Sequence, residues 1–458
     1  MSAAAEISVY DRMCWPEAEL ERALAGGAHR RELAAYLGGY EYSILAALAR
    51  QSVAAQRRRS PGRSALKIYL LPGILGSQLG RPRGGGEPPD LLWIDPSDIV
   101  QGRLTELRLP PAGAAAPSVQ AERALRSPRL PPVQPLGAIV YSYLALKLRL
   151  AAAGFDVVLY DYDWRGDMLA AGRALAQRRA ADEAPELALI GHSMGALLAR
   201  AALAHYGAGT ARITRLIGMG APHGGSIAAV QALRATYPIV GRLAAMDRVH
   251  DAQALTRLAF RGFMSLYQLL PAASATLDLF DPQSWPRTGA RPHAALLRAA
   301  RAFGRDLAAP DQRFISIVGT GQRTVTGIER RGAQFRYQVS SAGDGTVACA
   351  CATLPGVRSY SLRCEHSELP RSESVAAALI DLLRRGRTRR LAEGVRAHHG
   401  RRSYVTDAGL HRELGRKLDW YSLSIGERRV YLDTLHAPPA AYSRRHRAQR
   451  GGATVRKL

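Results

Sequence analysis

Cysteine is scarce in this chain, with four residues in 458, too few for a disulfide scaffold. No apolar run approaches the roughly 18 residues that a membrane-spanning helix needs. The first thirty residues carry acids where a secretory signal would be uninterruptedly apolar, so the expected compartment is the cytoplasm. Lysine is also rare: four of the 63 basic residues are lysine, leaving 59 arginines against 38 acids and a net charge of +25. With 47% hydrophobic and 22% charged residues the composition is that of an ordinary globular protein, which excludes disordered and fibrous classes. The length fits one large domain or two to three of ordinary size.

The charge has two readings. An excess of this size suits an anionic partner, either a lipid surface or nucleic acid. It also suits a GC-rich coding bias, because the arginine comes with abundant alanine and 44 glycines. From Arg384 to the end, 19 Lys and Arg face 6 Asp and Glu, so this stretch alone holds +13 of the excess. Of the two partners, a peripheral contact with an anionic membrane is expected and nucleic acid is not.

Residues 1–62 show helical apolar spacing and end at a basic, proline-bearing hinge, RRRSPGR, so they are expected to form a helical extension. The run ALKIYLLPGILGSQL predicts a buried strand broken at Pro72-Gly73, and the Pro- and Gly-rich stretch 81–135 an excursion from the sheet. Helical and apolar segments then alternate: AIVYSYLALKLRLAAAG, DVVLYDYDW, MLAAGRALAQRRA, ELALIGHS, MGALLARAALAHYG, ITRLIGMGAP. Near-continuous apolar strands between amphipathic helices call for a doubly wound, mostly parallel α/β sheet. The alternation lapses over about 226–310, a helical cap or lid expected over the strand ends. It resumes with RFISIVGTG, FRYQVS and GVRSYSLRC as later strands. The α/β domain thus runs over 63–385, and 386–458 is read as a basic, partly ordered tail.

The sharpest chemical signal is Gly191-His192-Ser193-Met194-Gly195, a G-x-S-x-G between an apolar strand and a helix. A serine in so tight a turn has a strained backbone, tolerated because the flanking glycines bring no Cβ into collision. Its hydroxyl stands at the positive end of a helix, with the Met194 amide aimed at a developing oxyanion. A plain tight turn is the alternative. A serine nucleophile needs an acid and then a histidine later in the chain. Asp344, in Ala342-Gly343-Asp344-Gly345, and His366, after the strand GVRSYSLRC, supply them. The alternatives are an Asx turn for Asp344 and an ordinary surface histidine for His366. The loop Pro72-Gly73-Ile74-Leu75-Gly76 offers the second oxyanion donor, the amide of Ile74.

The motifs LLPGILGSQL, LLWIDP, YDYDWR, GHSMG, MGAPHGGS, SLYQLLP and AGDGTV followed by CEHSEL, in that order, resemble the lecithin:cholesterol acyltransferase family. The resemblance covers about residues 65–385. It implies an α/β-hydrolase fold, Ser193 as nucleophile, Asp344 as acid, His366 as base, and the amides of Ile74 and Met194 as oxyanion hole. It also implies that the Tyr162–Arg165 stretch borders the acyl pocket, so Tyr162, Trp164 and Leu75 are candidate substrate contacts, with aromatic packing the alternative for the first two. Phe263, Met264, Leu266 and Tyr267 in the cap are either core or a lipid-contacting face. Cys349, Cys351, Cys364 and His366 would suit zinc on two facing strands, but the spacing lacks the usual knuckle, so buried thiols are expected and no metal or cofactor is called for.

Together these readings describe a serine acyl hydrolase or O-acyltransferase acting on a lipid-like ester. The alternative is a catalytically silent scaffold of the same fold whose basic tail binds an anionic partner.

Overall fold

The computed structural model describes residues 17–58, 66–81, 90–109, 134–138, 140–180, 182–207, 212–272, 277–396, 401–413, 417–433 and 435. Its strands are β1 (Lys67–Leu71), β2 (Ser77–Arg81), β3 (Asp90–Trp93), β4 (Gln134–Ala138), β5 (Asp156–Leu159), β6 (Leu187–His192) and β7 (Ile213–Met219). They continue with β8 (Phe314–Thr320), β9 (Thr324–Arg331), β10 (Gln334–Ser340), β11 (Arg358–Arg363), β12 (Ala392–Glu393) and β13 (Ser403–Thr406). The main sheet has the order β12-β11-β8-β7-β6-β1-β5, parallel except for the antiparallel edge strand β12.

The apolar strands dictate this arrangement. Every side chain of β6 and β8 is buried, as strands covered on both faces must be. Successive residues of β1 point to opposite faces: Ile68 and Leu70 join a core with the helices Val140–Ala152 and Glu373–Arg385. Tyr69 and Leu71 join the other core with Met168–Ala180 and Met194–Ala204. The sheet is therefore doubly wound, an α/β-hydrolase architecture.

One expected strand of the alternation lies elsewhere. FRYQVS is β10, which pairs antiparallel with β9 and β13 in a separate three-stranded sheet. Its burial alternates residue by residue, the pattern of a strand covered on one face only. The excursion after β1 carries a second antiparallel sheet, β3-β2-β4. Arg103 ties its strand β3 to the helical turns that follow, through Asp90, Asp98 and Glu106.

The helices Glu17–Gly26, Arg30–Leu37 and Gly39–Arg57 pack a small core of their own onto Leu144 and Leu148 of the helix Val140–Ala152. The helices Ile227–Leu233, Pro238–Met246, Ala252–Leu258, Met264–Gln268 and Ala294–Ala300 form the cap. The stretch read as a tail reaches into this region. β13 completes the β9–β10 sheet, Lys417 donates to the carbonyls of Ala244 and His250, and the Tyr431 hydroxyl donates to that of Arg242. Among the described residues no helix is long and apolar enough to cross a membrane.

Candidate active site

Ser193 sits between the end of β6 and the helix Met194–Ala204 with φ 54° and ψ −127°. For a non-glycine residue this conformation costs on the order of 1–3 kcal/mol. Local packing enforces it. A Cβ on Gly195 would strike the carbonyl oxygen of Leu71, and one on Gly191 the backbone of Ala196. The Ser193 amide donates to the carbonyl of Met219 at 2.8 Å, tying the turn to β7.

Asp344 and His366 come together from the turn after β10 and the end of β11. His366 Nδ1 lies 2.7 Å from Asp344 Oδ2, and the His366 amide donates to the Asp344 carbonyl at 2.8 Å. The other carboxylate oxygen accepts from the amides of Thr346 at 3.0 Å and Val347 at 2.7 Å. Asp344 therefore forms an Asx turn and faces the histidine at once, because a carboxylate has enough lone pairs for both. Gly220 and Gly319 leave the room: a Cβ on Gly220 would lie 3.0 Å from His366 Nδ1, and one on Gly319 would lie 2.7 Å from the Asp344 Cβ.

Ser193 and His366 open onto one cavity between the strand ends and the cap. Ile74, Leu75 and Trp164 line it from below, and Val240, Leu243 and Phe263 from the cap. Leu266 also lines it and Tyr267 is fully buried, so these cap residues face inward, while Met264 is half-buried. Trp164 donates its indole N–H to the Ser77 carbonyl at 2.9 Å and meets Trp93 and Phe263 edge-on. Leu75 takes a left-handed φ of 65°, and its carbonyl accepts from the Trp93 indole. Gly73 brings the loop against the serine, where a Cβ would lie 3.0 Å from that of Ser193. Among the described residues no acceptor takes the amide of Ile74 or of Met194.

Tyr162 is placed differently from the expectation of a substrate contact. It is buried outside the cavity lining, and its hydroxyl donates to the Pro72 carbonyl at 2.8 Å. Cavity residues that the sequence reading passed over are Tyr143, His192, Leu432 and Leu435. His192 lay in plain view inside the G-x-S-x-G pentapeptide. The two leucines were visible only as an apolar patch in the tail, and Tyr143 as one more residue of a helix.

The cysteines do not stand on facing strands. Cys349 and Cys351 share the short helix Cys349–Ala352. Burial pushes the Cys349 and Cys364 thiols up to about 11 and about 12, helped by the charge of nearby carboxylates including Asp344. Such thiols stay protonated and make poor metal ligands or nucleophiles. Among the described residues no three His, Cys, Asp or Glu side chains are grouped to hold a metal. His223, from MGAPHGGS, is half-buried, and desolvation and then the Arg200 charge lower its pKa to about 3, so it carries no charge.

Residues 156–292, from β5 through the elbow into the cap, match the lecithin:cholesterol acyltransferase family model. Among solved structures, the Tle4-Tli4 complex aligns at 15% identity over 70% of this chain and 98% of that one, with a TM-score of 0.42. The mature form of the Bacillus licheniformis lipase BlEst2 aligns at 14% identity over 72% and 95%, with a TM-score of 0.35. A sequence comparison with curated proteins finds no match. Residues 156–292, which run through the elbow of this doubly wound α/β fold, are thus similar to the lecithin:cholesterol acyltransferase family.

Proposed function

We propose that the protein is a serine acyl hydrolase or O-acyltransferase acting on lipid-like esters. The observation that carries this reading is that the strained Ser193 and His366, itself hydrogen-bonded to Asp344, open onto one apolar cavity. The family match supports acyl transfer to water or to an alcohol in general.

In this mechanism Ser193 Oγ attacks the ester carbonyl while His366 Nε2 takes its proton. Asp344 holds the Nδ1–H tautomer and stabilises the imidazolium. The amides of Ile74 and Met194, which have no acceptor among the described residues, bind the oxyanion. His366 returns its proton to the departing alcohol, leaving an acyl-Ser193. It then activates water or an acceptor alcohol, which takes the acyl group and restores the serine. The apolar lining favours an acyl chain over a peptide or sugar. The cap decides between water and alcohol through how far it excludes solvent.

The test is turnover of p-nitrophenyl butyrate by the full chain and by Ser193→Ala. Expected is a loss of about 10⁴-fold or more in kcat; equal turnover by both would overturn the reading. Part of the basic segment is engaged internally through Lys417, Arg428 and Asp407. The arginine excess supports a peripheral contact with anionic membrane. Vesicles containing phosphatidylserine are expected to retain the protein at low salt and release it as salt rises, while equal binding to neutral vesicles would remove electrostatics from the account.

A further inference from the structure

The loop that carries the Ile74 amide is held by groups the mechanism does not use. The peptide unit joining Pro72 to Gly73 is gripped at both ends. Its carbonyl accepts from the Tyr162 hydroxyl at 2.8 Å, and its N–H donates to the Tyr143 hydroxyl at 3.0 Å. The next unit, joining Gly73 to Ile74, has its carbonyl held by the Gly76 amide at 3.0 Å. Gly76 is required there, since a Cβ would lie 2.6 Å from that of Pro72. A peptide unit is planar and trans, so holding the Gly73 carbonyl aims the Ile74 N–H the opposite way. Among the described residues that N–H has no acceptor.

The chain of contacts continues from Tyr143. Its hydroxyl lies 2.9 Å from His192 Nδ1, and His192 Nε2 lies 3.0 Å from the carbonyl of His366. A carbonyl only accepts, so Nε2 carries the proton. In the neutral ring Nδ1 is then an acceptor, and Tyr143 donates to it. Burial pushes the phenols of Tyr143 and Tyr162 well above their ordinary range, so both hydroxyls keep their protons. The rings of His192 and His366 lie 4.8 Å apart. The His366 amide then passes the chain to the Asp344 carbonyl.

We infer that Tyr143, Tyr162 and His192 are positioning residues: the two tyrosines clamp the Pro72–Gly73 peptide to aim the Ile74 amide, and His192 ties that clamp to the backbone of His366. The inference rests on the proposed acyl-transfer reading for its catalytic consequence. The clamp itself does not.

The experiment combines steady-state kinetics on p-nitrophenyl butyrate with amide hydrogen exchange, using the full chain and Tyr143→Phe, Tyr162→Phe, His192→Gln and His192→Ala. Loss of a whole oxyanion donor costs about 10²–10³-fold in kcat, so a misaimed one should cost roughly 10–100-fold. Each Tyr→Phe variant is therefore expected to lose that much in kcat with KM within about twofold, because the clamp acts on the transition state alone. His192→Gln, able to accept and donate as the imidazole does, is expected to keep most of the activity that His192→Ala loses. In exchange, residues 72–76 should open about tenfold faster in Tyr143→Phe, with residues 364–369 following. A kcat within twofold of the parent in both Tyr→Phe variants, a loss confined to KM, equal activity of the two His192 variants, or unchanged exchange would each overturn the inference. If the parent chain shows no turnover, the acyl-transfer reading fails, and the exchange arm decides by itself whether the clamp exists.

Discussion

The two walls of the cavity are built by different physics. The lower wall, at the strand ends, is positioned by backbone. Ser193, Gly73, Asp344 and His366 are held by main-chain hydrogen bonds and by glycines whose missing Cβ atoms let neighbouring segments touch. The upper wall is made of side chains: Val240, Leu243, Phe260 and Phe263 from the cap, with Leu432 and Leu435 from the C-terminal segment. Backbone contacts admit almost no change in shape, whereas aliphatic packing tolerates exchange if volume is kept. On the proposed function, the comparison assigns the chemistry to the lower wall and substrate selection to the upper.

The largest expected effect lies in the lower wall. Asp344→Asn keeps the shape but favours the wrong tautomer of His366, and kcat on p-nitrophenyl butyrate should fall about 10⁴-fold with the fold intact. A loss under tenfold would mean that the Asp344–His366 contact is structural only.

Next comes the tie that joins the C-terminal segment to the cap and to β10. Asp407 accepts from Arg234 at 2.9 Å, from the Tyr337 hydroxyl at 2.7 Å and from the Phe335 amide at 3.2 Å, with Arg234 and Asp407 both buried. Asp407→Ala strands a buried guanidinium and should cost about 3–5 kcal/mol in denaturant unfolding. If the two walls are separable, the remaining folded protein should still label at Ser193 with a fluorophosphonate. Loss of labelling in protein that is still folded would break the comparison.

A smaller effect is expected from Gly195→Ala, whose methyl would meet the Leu71 carbonyl. Overpacking of this kind costs typically about 1–3 kcal/mol, and here the displaced part is the elbow, so kcat should drop together with the unfolding midpoint. A normal midpoint with normal kcat would show that the strand-end wall yields more than its contacts suggest.

The smallest concerns Leu432, half-buried on the cavity. Leu432→Ala should shift preference toward longer p-nitrophenyl acyl esters by about tenfold or less, the range of one or two methylenes in an apolar pocket, with kcat on the best substrate little changed. No change across acyl lengths would place the acyl chain elsewhere.

Much of the lower wall was legible in the amino-acid order because it is local. The elbow pentapeptide, the continuous apolar runs of β6 and β8, and the glycine-flanked Asp344 each announce themselves within a few residues. Asp344 forms the Asx turn expected as its alternative, and with the same carboxylate it meets His366. FRYQVS was legible as a strand but not as a member of another sheet, because partner choice depends on which face is covered. Cys349 and Cys351 looked like strand neighbours and share a helical turn instead. Tyr162 was expected to touch substrate and instead donates to the Pro72 carbonyl, since a motif does not say which way a hydroxyl points.

The order of amino acids by itself determined the doubly wound sheet, the strained serine and the acid and histidine that follow it, because periodicity, glycine placement and turn chemistry act over a handful of residues. Only the tertiary structure decided that Tyr143, 50 positions before Ser193, would hold the Gly73 amide, and that leucines near residue 435 would roof the cavity. Those are contacts between distant segments, chosen by how whole helices pack, and no short-range pattern encodes which side chains such packing brings face to face.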